Sequence, residues 1–470
     1  MPVGEGAAED AARQRKGKHE YDGTRNEGES AYPFDFEAIR VKTKTSFLKR
    51  WNSLFIGLLW SFAHYYMTYA LLRGLLEAAH PLAFLKKRLF LLGAVAVYWC
   101  FLVSSVYFTC LYSKCVQYHV ANFDNFSKQY EDHPLQAALM HGDLKNYCFP
   151  IHIFGALFLA PMRLVVGICF FALAVILMGI PLVLLGGRLK HHTRRYVAFV
   201  FRHLNSMAFW GIGISEVKTV YTHDVPRDRA INVISNHIGV LDVLYMLQSG
   251  SFTFICKDAL KRAFIIGDFI RLLNYITVNR HCPGNRKDAY LAIVDRMRSI
   301  DKGDQTVSMV VYPEGTTSRG NILLPFRHGA FGALVPLQPL LVVLDYSYVN
   351  ISFDAYTWPW WMFQTFSSPF TTRIIAYWLP VIHPPSSEEV ALKGERAAVE
   401  EYAARAHQAM REALIKLNPN VDLEYLQQRP VVPSVAWRSK MLSRLYGPVM
   451  QRHYKLSDEE LRRTEEVIYQ

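Results

Sequence analysis

Between Leu89 and Tyr112 the chain runs for 24 residues without a charged side chain. As a helix this run is about 36 Å long at roughly 1.5 Å per residue, more than the ~30 Å hydrocarbon core of a bilayer. A transmembrane helix is therefore predicted here, and the rest of the fold must accommodate it. Asn52 to Leu76 is a weaker second segment, since it carries His64, several tyrosines and Arg73. A third apolar run, Ile151 to Gly187, is interrupted by Pro161 and Arg163, with Pro181 towards its far end. Its part from Leu164 to Leu185 is long enough to span. A re-entrant or interfacial helical pair with Pro161 at the corner fits as well. Arg188, Lys190, Arg194 and Arg195 follow at once, which favours a cytosolic exit and attraction to anionic lipid. Lys42, Lys44, Lys49 and Arg50 point to a cytosolic N-terminus, whereas Lys86-Lys87-Arg88 points the other way. The topology of the first two segments stays open.

The net charge of +12 suits either nucleic acid or an anionic membrane surface. The long apolar runs favour the membrane. No zinc-finger spacing and no RNA-binding aromatic motif is present, so no nucleic-acid partner is expected. With 51% hydrophobic and 14% aromatic residues the chain is too apolar to be disordered throughout. Residues 1–35 are the exception and read as a disordered tail, with no signal peptide before the first apolar stretch. Seven cysteines without a CxxC pair read as reduced thiols, hence a cytosol-facing domain. The triplets Asn125-Phe-Ser127 and Asn350-Ile-Ser352 read as chance sequons.

From Asn232 the pattern changes to short β-branched runs alternating with helical stretches. Candidate strands are 231–235, 252–256, 275–278, 307–312 and 339–344, with the clearest helix between them at 285–300. This alternation predicts an α/β domain with a largely buried sheet. A last strong helix covers 386–417. Ser386 and Glu389 form its capping box, and Val399, Tyr402, Ala406, Met410, Ala413 and Leu417 form one apolar face. The expected organisation is a tail (1–35), membrane segments within 50–187 (about 52–76, 89–112 and 151–187), a catalytic domain (188–417) and a basic C-terminal tail (418–470).

The chemistry concentrates after the first of these strands. The spacing His-x4-Asp occurs three times, at His223/Asp228, His237/Asp242 and His453/Asp458. Only the second has an apolar strand leading in and an apolar helix leading out. There the carboxylate can hold one imidazole nitrogen while the other takes a proton. Three further blocks follow in order: Gly267-Asp-Phe-Ile-Arg271 with Ile276-Thr-Val-Asn-Arg280, then Tyr312-Pro-Glu-Gly-Thr-Thr-Ser-Arg-Gly320, then Val335-Pro-Leu-Gln-Pro-Leu340. Arg280 and Arg319 are planar forks suited to phosphate, Gly315 and Gly320 permit tight turns, and the hydroxyls of Thr316, Thr317 and Ser318 can bind an anion. Arg327, Pro336 and Pro339 are read as pocket wall, with turn formation an equal reading for the prolines. The aromatic cluster Tyr356, Trp358, Trp360, Trp361 and Phe363 can line an acyl channel, anchor at a membrane interface, or simply pack a core. Gly211-x-Gly213 lacks the third glycine of a dinucleotide site, and no G-x-S-x-G elbow occurs.

The four ordered blocks resemble those of the glycerolipid acyltransferases, the family of lysophosphatidate and glycerol-3-phosphate acyltransferases. The stretch Pro313 to Phe331 is similar to the lysophosphatidylcholine/lysophosphatidylethanolamine branch, as are Tyr356 to Trp360 and Leu379 to Glu389. The resemblance covers about residues 155–415. It implies an acyltransferase-type mixed sheet flanked by helices behind N-terminal membrane helices. It also implies an enzyme of endoplasmic reticulum or Golgi membranes, with its catalytic domain facing the cytosol. Acyl-CoA and a lysophospholipid would be the substrates, with no metal or other cofactor. His237 would be the base and Asp242 its orienter, acting without an acyl-enzyme. The substrate-binding set would be Asn279, Arg280, Glu314, Gly315, Thr316, Thr317, Ser318, Arg319 and Arg327. In particular the family pattern associates Arg280 with the acceptor phosphate and places Glu314 and Gly315 in acceptor binding. Where the lysophosphatidate branch usually has arginine this chain has Thr316, which favours an acceptor with a larger head group. Glycerol-3-phosphate or lysophosphatidate as acceptor, and a non-catalytic lipid-binding protein on the same fold, are the rival expectations. No Asp-x-Asp-x-Asp-Gly loop occurs, so calcium dependence is not expected.

Overall fold

The computed structural model describes residues 36–40, 47–129, 140–185, 190–225, 229–250, 252–262, 267, 270, 274–279, 283–305, 307–352, 358–369, 372–423, 435–457 and 459. The chain divides into Met1–Phe34, which lies outside the described residues, and Asp35–Gln470.

The second unit is built on a six-stranded mixed sheet. Its strands are β1 (Ile214–Tyr221), β2 (Asn232–Ser235), β3 (Phe252–Thr253), β6 (Ser308–Val311), β7 (Gln338–Asp345) and β8 (Thr372–Trp378), in the order β1-β8-β7-β2-β6-β3. Every neighbouring pair is parallel except β7 and β8. A separate parallel pair joins β4 (Ile255–Lys257) to β5 (Ile276–Val278). β2 is buried along its whole length, as are β8 and nearly all of β7. Strands covered on both faces carry no polar alternation, which is why β2, β6 and β7 read in the sequence as continuous apolar runs. β1 and β8 were not expected. The first runs through Glu216-Val-Lys-Thr and the second opens with Thr-Arg, and the polar positions hide both from a search for apolar runs. The expected run 252–256 is split by Phe254 into β3 and β4, which belong to different sheets.

The apolar run beginning at Leu89 is a 33-residue helix, Leu89–Ala121, about 50 Å long at roughly 1.5 Å per residue. It is the one described helix long and apolar enough to cross a membrane by itself. It extends nine residues beyond the uncharged run because one face is taken up by protein. Tyr98, Leu102, Ser105, Thr109, Tyr112, Val116 and His119 recur at three- and four-residue spacing and are buried. Phe90, Val97, Val103 and Tyr107 stay exposed on its other sides. The weaker segment forms the helix Phe47–Glu77, with Phe55, Leu59, Phe62, Tyr66 and Leu76 exposed. The third run forms two helices, Phe149–Phe158 and Ala160–Leu185, with a bend of 52° between the first and the Ala160–Ala174 part of the second. The corner lies at Leu159, and Pro161 sits in the first turn of the second helix, where its missing N–H costs nothing. Arg163, which interrupts the run, is wholly buried and donates to the carbonyls of Phe366 (2.9 Å) and Ser368 (2.7 Å) at the end of the helix Trp358–Ser367.

The last expected helix divides at Gly394 (φ +85°) into Ser387–Lys393 and Glu395–Leu417. The Ser386/Glu389 capping box is present, and Tyr402, Ala406, Met410, Ala413 and Leu417 are buried. Beyond it the described residues do not form a free basic tail. Helices Val435–Tyr446 and Pro448–Tyr454 place Met441, Leu442, Leu445, Tyr446 and Met450 in the main core, against the Leu89–Ala121 helix. Among the aromatic cluster, Trp360, Trp361 and Phe363 are buried. Phe363 stacks on Phe108 at 4.5 Å and the Trp361 indole N–H donates to the Ile351 carbonyl, so these three pack a core. Tyr356 lies outside the described residues.

Where the Phe149–Phe158 helix meets the end of Trp358–Ser367 there is no room for a side chain. A Cβ on Gly155 would lie 1.8 Å from the Ser367 carbonyl oxygen, whereas one on Gly93 meets nothing within 4 Å. Gly155→Ala should therefore destabilise the detergent-solubilised protein by at least about 1–3 kcal/mol, read as a lower thermal midpoint. Gly93→Ala should be neutral or stabilising by up to about 1 kcal/mol. Equal midpoints for the two variants would contradict this packing.

Candidate active site

β2 and β6 are neighbouring parallel strands, and the loops leaving their carboxyl ends meet. Ligands of open α/β sheets gather at these ends. The β2 loop begins with Asn236, whose side-chain amide both donates to the Val342 carbonyl (2.9 Å) and accepts from the Val342 N–H (2.8 Å). A side chain thus continues the β2–β7 ladder one residue past the strand. His237 follows with little freedom left in its backbone. Its N–H donates to Glu314 Oε1 at 2.8 Å, and its carbonyl accepts from the Ser318 N–H at 2.8 Å.

The imidazole Nδ1 of His237 lies 2.8 Å from Asp242 Oδ2. The histidine side chain is 22% exposed and the aspartate fully buried. Asp242 belongs to the first turn of the helix Val240–Ser249, where the helix dipole favours a negative charge. Its Oδ2 also accepts from the N–H groups of Ile238 (2.6 Å) and Gly239 (3.2 Å). Gly239 takes φ +116°, a conformation that side chains other than glycine's rarely allow. The carboxylate holds Nδ1 in the protonated tautomer, leaving Nε2 on the outer side of the ring to accept a proton. His237 also stacks on Tyr312, the residue after β6, with centroids 4.0 Å apart and planes at 15°.

The β6 loop is organised by Glu314. Its second oxygen, Oε2, accepts from the Leu324 N–H at 2.9 Å, and the residue is wholly buried. Burial pushes its carboxyl up to about 8, against the opposing pull of the Leu324 and His237 N–H donors and with a further push from Asp242. Acceptor binding was expected of Glu314. The fold instead turns both of its oxygens to main-chain donors of this chain, so it joins the two loops. Gly315 turns with φ +69°, and a Cβ there would meet Arg327 Nε at 2.4 Å. The Arg327 side chain therefore crosses the turn, and that residue is exposed.

Thr316 and Thr317 are half-buried in the same loop, and Ser318 is buried. Arg319 was expected among the anion-binding groups, but only 5% of it is exposed. Its guanidinium donates to the Met140 carbonyl (2.7 Å) and pairs with Asp422, fastening the loop to two distant segments. Asn279 is exposed just past β5, in the smaller sheet. Arg280 lies outside the described residues, as does most of the Gly267–Arg271 block. The structure thus brings together His237, Asp242 and the Glu314–Arg319 loop, with Arg327 over its turn. Sequence reasoning missed Asn236 as a strand extension and Tyr312 as the stacking partner. Tyr312 opens a quoted block and Asn236 immediately precedes His237, but their partners are set by the fold.

The sequence profile of the family described as Acyltransferase matches residues 190–347, from the helix before β1 to the end of β7. Over 174 residues the chain is 31% identical to "Lysophosphatidylcholine acyltransferase" of Drosophila melanogaster, covering 35% of this chain and 30% of that protein. It is 32% identical over 178 residues to "Lysophospholipid acyltransferase LPCAT4" of Xenopus tropicalis, covering 36% and 30%. It is 28% identical over 163 residues to "Lysophospholipid acyltransferase LPEAT2" of Arabidopsis thaliana, covering 35% and 29%. The chain therefore matches less than a third of the length of each of these relatives. It is also similar to the crystal structure of the 1-acyl-sn-glycerophosphate (LPA) acyltransferase, PlsC, from Thermotoga maritima. That similarity has a TM-score of 0.36 and 22% identity, over 53% of this chain and 95% of the other.

The raised Glu314 carboxyl has a thermodynamic consequence. Its ordinary value is 4.5 and its folded value about 8, so between these limits the folded state binds more protons than the unfolded state. Stability must then fall as pH rises through that window. Glu314→Gln removes this share of the slope. It also turns an NH2 towards one of two N–H donors, costing about 1–3 kcal/mol. Thermal midpoints from pH 5 to 8.5 should show a lower and flatter profile for the variant, and parallel profiles would contradict the assignment.

Proposed function

We propose that the chain, whose residues 190–347 match the Acyltransferase family model, transfers a fatty acyl group from acyl-CoA to the free hydroxyl of a lysophospholipid. The observation that carries the reading is the His237–Asp242 pair, 2.8 Å apart at the carboxyl ends of β2 and β6. Nε2 of His237 takes the proton of the acceptor hydroxyl as its oxygen attacks the thioester carbonyl. Asp242 keeps the ring in the required tautomer and stabilises the imidazolium that forms. The tetrahedral intermediate collapses by breaking the carbon–sulfur bond, and the proton passes from His237 to the departing CoA thiolate. The hydroxyl attacks directly, so no acyl-enzyme forms.

The similar relatives carry lysophospholipid acyltransferase names, which supports a lysophosphatidylcholine or lysophosphatidylethanolamine acceptor. Thr316, Thr317, Arg327 and, by resemblance, Arg280 and Asn279 supply the polar groups for its phosphate and head group. The exposed apolar sides of Leu89–Ala121 and Phe47–Glu77 enter the bilayer of the endoplasmic reticulum or Golgi, with the domain on the cytosolic face.

His237→Ala should lower kcat by roughly 10²–10⁴-fold, the range of a general base, with thermal stability unchanged. Thiol release from acyl-CoA on adding acceptor is the assay. Lysophosphatidylcholine or lysophosphatidylethanolamine should be used in preference to glycerol-3-phosphate and lysophosphatidate. Full activity in His237→Ala would remove the base assignment, and preference for glycerol-3-phosphate would move the acceptor to the rival class.

A further inference from the structure

Tyr312 has no part in the chemistry described so far, yet it occupies the centre of the site. Its ring lies face to face with His237 at 4.0 Å, and Phe254 stands nearly parallel to it at 6.4 Å. Its hydroxyl is buried and, among the described residues, sits within hydrogen-bonding geometry of no partner. The same is true of Asp242 Oδ1. Among the described residues the hydrogen bonds to that carboxylate fall on Oδ2, which is shared by His237 Nδ1 and the N–H groups of Ile238 and Gly239. A buried donor and a buried charged acceptor, each unsatisfied and in side chains that interact with one another, is an arrangement proteins rarely leave unresolved. Burial, and next the Asp242 charge, hold the phenol well above its ordinary range, so it remains an O–H donor.

We propose that Tyr312 is the positioning residue of the dyad: its hydroxyl donates to Asp242 Oδ1 while its ring face holds the imidazole plane, so that Oδ2 stays aimed at Nδ1. The inference rests on the reading of His237 and Asp242 as base and orienter. A carboxylate held through one oxygen only can rotate about its side-chain torsion. A donor on the second oxygen removes that freedom. The electron-rich ring face also favours the imidazolium that appears as His237 takes the proton. Simple core packing would account for the ring but not for a buried hydroxyl next to an unsatisfied carboxylate oxygen.

Tyr312→Phe keeps the ring and deletes the donor. A hydrogen bond to a charged group is worth enough that kcat should fall by roughly 10-fold, with KM and thermal midpoint little changed. Tyr312→Leu, which also removes the stack, should fall further. In an Asp242→Asn background, Tyr312→Phe should add less than about twofold, because the two changes break one interaction. An undiminished effect there, or none in the wild-type background, overturns the proposal. A readout independent of turnover is the 19F resonance of 3-fluorotyrosine placed at position 312. It should move when Asp242 becomes Asn, and a resonance that stays in place also overturns the proposal. If the resonance moves but no acyl transfer is found even in the wild type, the acyl-transfer reading fails while the Tyr312–Asp242 contact stands.

Discussion

A single buried carboxyl group, that of Glu314, takes main-chain hydrogen bonds from His237 on one oxygen and Leu324 on the other. Removing a carboxyl group from water is unfavourable, and the upward push on Glu314 records that cost. What the cost secures is a joint between two loops that leave neighbouring strands and share no local sequence. The Ser318 N–H closes the joint from the opposite direction by donating to the His237 carbonyl. Asp242 sets the tautomer and plane of the imidazole, but Glu314, Ser318 and Asn236 set the backbone from which it projects. At Gly320 (φ +75°) a Cβ would meet Ile238 at 2.7 Å, so the two loops also approach too closely for a side chain.

The same principle ties the membrane-length helix to the sheet domain. Leu89–Ala121 is bound to the core by polar contacts as well as by apolar packing. Thr109 and Ser367 share a hydroxyl hydrogen bond at 3.1 Å, and His119 Nδ1 pairs with the Leu445 carbonyl at 3.1 Å. Gly447 lets Tyr118 approach to where a Cβ would be only 2.6 Å away. On the neighbouring helix, Arg163 satisfies terminal carbonyls of Trp358–Ser367. The polar residues that interrupt these apolar runs are therefore attachment points. The helix that can enter a bilayer and the site that would act on a lipid belong to one packed body.

Much of this was legible before any coordinates. Periodicity located the strands β2, β6 and β7, the helix Pro283–Asp301 and the apolar face of Glu395–Leu417, since burial on one or both faces writes itself into neighbouring positions. The His237–Asp242 pair was legible for the same reason, because its partners are five residues apart and the intervening turn is local. β1 and β8 escaped because their polar positions break the apolar pattern that marked the others. The C-terminal helices escaped because Lys440, Arg444 and Arg452 flank Met441, Leu445 and Met450 and give the stretch a basic surface composition.

The sequence by itself determined the membrane-length helix, the α/β alternation and the histidine–carboxylate pair, because each is set by interactions within about one helical turn or one strand. Only the tertiary structure decided what Glu314 and Arg319 do. Their partners lie 77 and 103 residues away, and a carboxylate or guanidinium looks the same in sequence whether it faces a ligand or a main-chain N–H. That choice is made by which strands lie side by side, and strand order is a property of the folded sheet that no local run of residues encodes.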